Sequence, residues 1–233
     1  MIFISEFMQR RFSNYGVNSR KECVIRPGIP VTEIKCKRCY VLAGSVVRVV
    51  YSGIVLEHKG VDTLVAALNL VARQRPTKRI RLTVFGDDIR RLVRDGVDSN
   101  AIDVRIEGFI KRELLYEQLA DNDIGIFPSS WEEPFGIAQI EMMAAGLPLI
   151  SSGRGGSVEA LDPGVDCLLF EAENKEDLAH KIIWLMDNYD SEAKKFGSRA
   201  REKVVTHFDE SVSGERIRQM VATVINHSHE QVA

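Results

Sequence analysis

From Val46 onward the chain alternates short β-branched runs with amphipathic helical patterns, and this alternation limits the folds open to it more than any other feature. The runs VVRVVYSG (46–53), IRLTVFG (80–86), VRIEG (104–108), DIGIFP (123–128), LPLIS (147–151) and CLLF (167–170) read as strands. Between them, VDTLVAALNLVAR (61–73) puts Leu64, Ala67, Leu68 and Val71 on one helical face. A short charged helix is expected after Gly86, another in KRELLYEQLAD (111–121), one near 136–145 and a short one near 156–161. From about Lys175 the remainder is helical with short breaks. Strands that each return through a helix run parallel, with helices on both faces, so the expected architecture is α/β, a doubly wound parallel sheet with extra helices at its C-terminus. Ligands of such sheets bind beyond the carboxyl ends of the strands. Four glycine-containing stretches follow strands and should therefore matter most: 53–60, 86–88, 108–111 and 128–136.

The first 45 residues break this rhythm. SEFMQRRFSNYG (5–16) reads as a helix with Ser5 as N-cap and Gly16 beyond its end. VIRPGIP (24–30) reads as a strand entering a Pro-Gly turn, and 31–45 as linker. Cysteines stand at 23, 36, 39 and 167, a usage that fits a reducing compartment better than a disulfide framework. Cys36-Lys-Arg-Cys39 has no second ligand pair at zinc-finger spacing, so two ordinary thiols are the preferred reading and no metal site is assigned. A formal net charge of -2, with Lys and Arg dispersed, gives no footprint for nucleic acid. No apolar run approaches the roughly 18 residues of a membrane span, and the N-terminal charges follow rather than precede a short apolar stretch. A cytoplasmic location is the expectation.

The stretch SSWEEPFGIAQIE (129–141) carries the chemistry. Pro134 suits the first turn of a helix, Gly136 permits close backbone approach, and the helix that follows offers free N–H groups and its positive dipole end to an anion. Ile137, Glu141 and Ala144 share one helical face, so Glu141 lies about a turn deep on an apolar stripe, where paired hydroxyl groups would satisfy it. Glu133 lies just ahead of the helix, near the mouth. Either carboxylate alone could equally complement the helix dipole or pair with a neighbouring arginine. Lys59 and Gly60 occupy the first strand-to-helix loop, where the lysine would neutralise a phosphate or simply be solvated. The loop SSGRGGSVEALDPG (151–164) is glycine-rich but lacks both the phosphate-loop lysine and dinucleotide spacing.

Together these residues resemble the donor-binding, C-terminal half of family 4 retaining glycosyltransferases, from about Val24 to Phe208. The motifs that carry the likeness are VIRPGIP, YSGIVLEHKGVDTL, LTVFGDD, VRIEGFI, ADNDIGIFPSSWEEPFGIAQIEMMAAGLPLIS, GGSVEAL and GVDCLLF. The resemblance implies a Rossmann-like domain, one half of a GT-B fold, over 46–208. It further implies that 1–45 is a remnant of the N-terminal domain with a linker, and that 209–233 is a crossover helix and tail. It assigns Lys59 to the donor diphosphate, Glu133 to the donor sugar hydroxyls and Glu141 to the ribose. The amides of Phe135, Gly136 and Ile137 would face sugar and diphosphate, Gly53 would border the donor, and Ile110 would lie along the base. Glu159 matches a family position near the site and receives no role.

Two departures from the family pattern stand out. Ile54 follows Gly53 where the family usually has an arginine, a loss that typically costs about 2.7–4 kcal/mol of barrier for such charge-stabilising groups. Arg154 and Lys111 are the candidate substitutes. The acceptor-binding N-terminal domain is also missing, to be supplied by the same gene or by a separate chain, and peripheral membrane contact would come through that domain. The expected function is transfer of a hexosyl unit from a nucleoside diphosphate sugar with retained configuration, without cofactor or metal. The alternative is a non-catalytic nucleotide-sugar-binding module, or a truncated or split enzyme inactive on its own. A sugar-nucleotide epimerase or phosphorylase fits the Glu-Pro-Phe-Gly block poorly, and a dehydrogenase lacks its glycine fingerprint.

Overall fold

A computed structural model describes residues 1–19, 21–42, 44–86, 96–98 and 100–230. Two short strands, β1 (Ile2–Phe3) and β2 (Cys23–Val24), pair in parallel on either side of helix α1 (Glu6–Asn14). Ser5 caps α1 as expected, its Oγ accepting the Met8 N–H at 3.1 Å. VIRPGIP is shorter as a strand than the sequence predicts. Only Val24 of it pairs with β1, and Ile29 then bridges to Asp209, exchanging hydrogen bonds with the Phe208 carbonyl and the Glu210 N–H.

The main sheet contains β3 (Val46–Gly53), β4 (Arg79–Gly86), β5 (Ile102–Gly108), β6 (Ile124–Phe127), β7 (Leu149–Ser151) and β8 (Cys167–Leu169), all parallel, in the order β5-β4-β3-β6-β7-β8. The chain winds outward from β3 in one direction and from β6 in the other, so the winding reverses between these two neighbours. That reversal is where a crevice opens beyond the strand ends. The β3–β6 register holds only at Val49↔Ile124 and Val50↔Gly125, which leaves both C-terminal ends free of each other.

Helices α2 (Val61–Gln74), α3 (Arg112–Leu119), α4 (Ile137–Ala144), α5 (Lys175–Asp187), α6 (Lys194–His207) and α7 (Glu210–Glu230) complete the layers. Alternate residues of β3 point to opposite faces. Val47 and Val49 pack with Leu64 and Leu68 of α2 and Leu178 and Ile182 of α5, whereas Val50 packs with Ile140 of α4, Tyr116 of α3 and Val204 of α6. Both faces are thus covered, as a continuous Val-rich strand requires. The short helix expected near 156–161 is a 3-10 turn at Gly156–Ala160, and the charged helix expected after Gly86 lies outside the described residues.

Of the stretch 31–45, read as linker, Val31–Glu33 form a 3-10 turn and Lys37 is pinned beside the start of β6. Asp123, fully buried, receives the Arg48 guanidinium at 3.0 and 2.9 Å and the Lys37 ammonium at 3.2 Å, and Lys37 also donates to the Asn122 carbonyl at 2.6 Å. Cys36 and Cys39 are free thiols, as are Cys23 and Cys167, and among the described residues no group of three or more potential metal ligands gathers. Among those residues no helix is long and apolar enough to cross a membrane.

Candidate active site

Strand β3 delivers Gly53 to the crevice and β6 delivers Phe127 and Pro128. A 3-10 turn at Glu57–Lys59 then leads into α2 through Gly60, whose φ of +68° favours glycine and where a Cβ would lie 2.0 Å from the Pro128 carbonyl oxygen. This contact seats the start of α2 against the end of β6 and carries Lys59 to the 129–134 loop. The Lys59 ammonium donates to Glu133 Oε1 at 2.6 Å, and the Ser129 hydroxyl donates to the same oxygen at 2.7 Å. Glu133 is buried rather than at the mouth, 5% exposed, so its charge is held by these two donors. Behind it, the Gly156 N–H donates to the Glu133 carbonyl at 2.6 Å, and Glu133 bridges Gly155. The glycine-rich loop therefore braces the carboxylate from the rear.

Helix α4 starts at Gly136, φ +87°, without a side-chain cap, leaving its first-turn N–H groups to a ligand or water. Gln139 fixes the helix: its amide donates to the Ser157 carbonyl at 2.6 Å and accepts the Ser151 hydroxyl at 3.1 Å. One turn on, Glu141 is 5% exposed, accepts the Tyr116 hydroxyl at 3.2 Å and lies 3.6 Å from Arg112 Nε. Burial raises the Glu141 pKa above the ordinary 4.5, against the opposing pull of Arg112 and Tyr116. Burial first, and then Glu141, holds the Tyr116 phenol protonated well above its usual range.

Two adjoining cavities lie over these groups. The first, about 140 Å³, is lined by Gly53, Ile54, Lys59, Ser129, Glu133, Gly136, Ile137 and Ala138. The second, about 460 Å³, shares Gly53, Ile54, Ile137 and Ala138 and adds Gly86, Phe109, Ile110, Arg112 and Glu141. They form one trough with Lys59 and Glu133 at one end, the N-terminus of α4 in the middle, and Glu141 with Arg112 at the other. Such a trough suits an elongated ligand with hydroxyl groups at both ends and an anion between them.

The structure brings together Gly53, Lys59, Ile110, Glu133, Gly136, Ile137 and Glu141 from the predicted set. Phe135 borders them in sequence, but its ring is core, packed edge-on against Phe208 with centroids 5.5 Å apart. Neither proposed substitute for the missing arginine lines the trough. Lys111 is the N-cap residue of α3, and Arg154 faces a different cavity beyond the 129–134 loop. Arg112 lines it instead. Sequence reasoning also missed Ser129 and Tyr116, which hold the two carboxylates. Ser129 sits four residues before Glu133, a legible cue, whereas Tyr116 reaches Glu141 from another helix with no sequence signal. Glu159 accepts the Glu6 and Phe7 N–H groups at the start of α1, at 3.0 and 2.7 Å, and pairs with Arg26 at 3.0 Å, which makes it an anchor for the N-terminal segment.

Comparison with known proteins places this geometry. Over 181 residues the chain is 27% identical to mannosylfructose-phosphate synthase of Agrobacterium fabrum, covering 71% of this chain and 40% of that protein. Sucrose-phosphate synthase from Thermosynechococcus elongatus superposes with a TM-score of 0.79 at 25% identity, over 95% of this chain and 58% of that one. Anabaena HepE in complex with UDP-glucose gives 0.78 at 21% identity, over 95% and 63%. The chain thus spans less than two thirds of these proteins' lengths, as expected of one Rossmann-like half of a GT-B fold. The family described as glycosyl transferases group 1 matches residues 46–188, from β3 through α5, the segment that builds the whole trough. The chain belongs to the group 1 glycosyl transferases.

Proposed function

We propose that the chain is the donor-binding half of a retaining glycosyltransferase that takes a hexosyl unit from a nucleoside diphosphate sugar. The observation that carries this reading is the trough itself, with a lysine-bound carboxylate at one end, a second buried carboxylate at the other, and an uncapped helix N-terminus between them. Glu141 would accept the two ribose hydroxyls, with the base along Ile110. The diphosphate would lie at the start of α4 between Gly53 and Ile137, and Glu133 would accept hydroxyls of the sugar. The UDP-glucose named with HepE, which shares the fold, supports a ligand of this class.

In the reaction the bond from the anomeric carbon to the diphosphate oxygen breaks and a bond to the acceptor oxygen forms on the same face. The acceptor proton passes to the departing phosphate oxygen, so no protein base is needed. Lys59 and the α4 amides stabilise the diphosphate charge as it develops. With Ile54 in place of an arginine, Arg112 is the other cation lining the trough. An acceptor domain, from the same gene or a separate chain, would complete the enzyme and supply any peripheral membrane contact, in the cytoplasm. The second reading, a nucleotide-sugar-binding module without transfer, is favoured by Ile54.

Calorimetric titration with UDP, GDP and ADP tests the donor reading. One nucleotide should bind, and Glu141→Ala should weaken it strongly. Binding of none, or equal binding by the variant, would overturn it. Transfer or donor hydrolysis after an acceptor domain is supplied separates the enzyme from the module.

A further inference from the structure

A further cavity, of about 540 Å³, lies beside the starts of β3 and β6 rather than their ends. The run KCKRC (35–39), Arg48 and Asp121 form its wall. Among the described residues four cations gather there, Lys35, Lys37, Arg38 and Arg48, against two carboxylates, Asp121 and the fully buried Asp123. Arg48 gives Asp123 its Nε and Nη2 donors at 3.0 and 2.9 Å, and its Nη1 has no partner among the described residues. Arg38 is exposed, and its guanidinium makes no hydrogen bond or ion pair among those residues. Lys35 pairs with Asp121 at 2.9 Å, both side chains more than half exposed, a contact of little strength.

The cavity therefore carries a surplus of two positive charges. One guanidinium is held in place by a buried carboxylate and keeps a donor spare, and the other is unengaged. Guanidinium groups match phosphate oxygens with parallel, charge-assisted hydrogen bonds. The volume is that of a small-molecule site. Sugar transfer in the trough uses none of these groups, because the trough lies at the opposite ends of the same parallel strands. We propose that this cavity is a second ligand site, separate from the trough, for a small molecule bearing two phosphate groups. The segment that walls it also closes the far end of α4. There the Lys37 N–H donates to the Ala145 carbonyl at 2.8 Å and the Tyr40 hydroxyl to the Gly146 carbonyl at 2.7 Å. An occupant would thus rest on the segment that holds the helix carrying Glu141.

The site contains its own reporters. Cys36 and Cys39 line it as free thiols, Cys39 exposed, whereas Cys23 is a part-exposed free thiol outside it. The full chain is alkylated with iodoacetamide in the presence of fructose 1,6-bisphosphate, pyrophosphate, inorganic phosphate or citrate, and each cysteine peptide is followed by mass spectrometry. Fructose 1,6-bisphosphate or pyrophosphate should slow alkylation of Cys39 saturably and leave Cys23 unchanged. Inorganic phosphate, with one group instead of two, should need at least about tenfold more, as should citrate. Arg38→Ala should weaken the protection at least about tenfold, the loss of hydrogen bonds to a charged group. Because the Arg38 side chain holds no other described group, this variant should fold as the parent does. No saturable protection of Cys39, equal slowing at Cys23, or an Arg38→Ala curve matching the parent overturns the proposal. Citrate acting as strongly as the phosphates overturns the choice of phosphate. Protection is read at Cys39 without any nucleotide, so the donor reading stands or falls separately.

Discussion

Replacing Glu141 by glutamine should make the free chain more stable and its nucleotide complex weaker. The carboxylate is 5% exposed, receives one neutral hydrogen bond from Tyr116 and faces Arg112 only at 3.6 Å, so its charge is poorly compensated in the empty trough. Glutamine keeps the shape and an acceptor for Tyr116 while removing that penalty. In the complex the ribose would give the carboxylate two hydrogen bonds, each worth about 1.5–3 kcal/mol to a charged group. Glutamine loses one acceptor and weakens the other, a loss of about 2–3 kcal/mol, or roughly 30- to 150-fold in Kd. The pH dependence has a definite sign. A carboxyl whose folded pKa is raised above 4.5 takes up its proton in the folded state first, so wild-type stability rises relative to E141Q as pH falls through that folded pKa. Over the same window wild-type affinity falls, because the protonated group no longer accepts both hydroxyls. Thermal unfolding and calorimetry of both proteins from pH 8 down to about pH 4, below the ordinary carboxyl pKa, measure the two trends. The ratio of the two affinities cancels titration of the nucleotide's own phosphate. A variant with unchanged Kd, or a stability difference flat across the window, would refute the reasoning.

Other perturbations follow from the same geometry. Glu133→Ala should abolish discrimination among donor sugars while a bare nucleoside diphosphate binds at least as tightly, because Lys59 is released; competition assays with epimeric donors read this out. Gly60→Ala forces a side chain into a left-handed position 2.0 Å from the Pro128 oxygen, so the melting temperature should fall by at least about 3 °C and nucleotide affinity with it. Asp123→Ala leaves Lys37 buried without its counter-charge, which typically costs about 3–5 kcal/mol and should lower the melting temperature on the order of 10 °C. Glu159→Ala removes the acceptor for two α1 amides and one of the two carboxylates paired with Arg26, so limited proteolysis should cut the first 25 or so residues faster while the trough still binds nucleotide.

The sheet was legible because each central strand is a β-branched run between helical patterns, and parallel strands buried on both faces leave that signature. The trough was legible for a related reason: its residues sit directly after strands or at the first turn of α4. What escaped the sequence is what two distant segments make together. Lys37 lies in a polar stretch with no periodicity, and only the fold shows that it is buried against Asp123, 86 positions away. Tyr116 reads as a core residue of α3, which it is, and nothing local says that its hydroxyl ends at Glu141. VIRPGIP reads as a strand entering a Pro-Gly turn because its valine and isoleucines favour one, but only Val24 pairs, since Pro27 and Pro30 lack the donors that a longer ladder would need.

On the proposed donor reading, the lysine–carboxylate contact at 2.6 Å has a consequence for turnover. At rest the two groups neutralise each other, so the empty trough already contains a competitor for each half of its substrate. A nucleoside diphosphate that drew Lys59 away would strand Glu133 in a buried position, with Ser129 as its one remaining donor among the described residues. A full donor would replace both partners at once, diphosphate for the lysine and sugar hydroxyls for the carboxylate. After transfer of the sugar, re-formation of the pair would work against the spent diphosphate. The same contact would thus favour the loaded substrate over the product, and help the trough to empty itself.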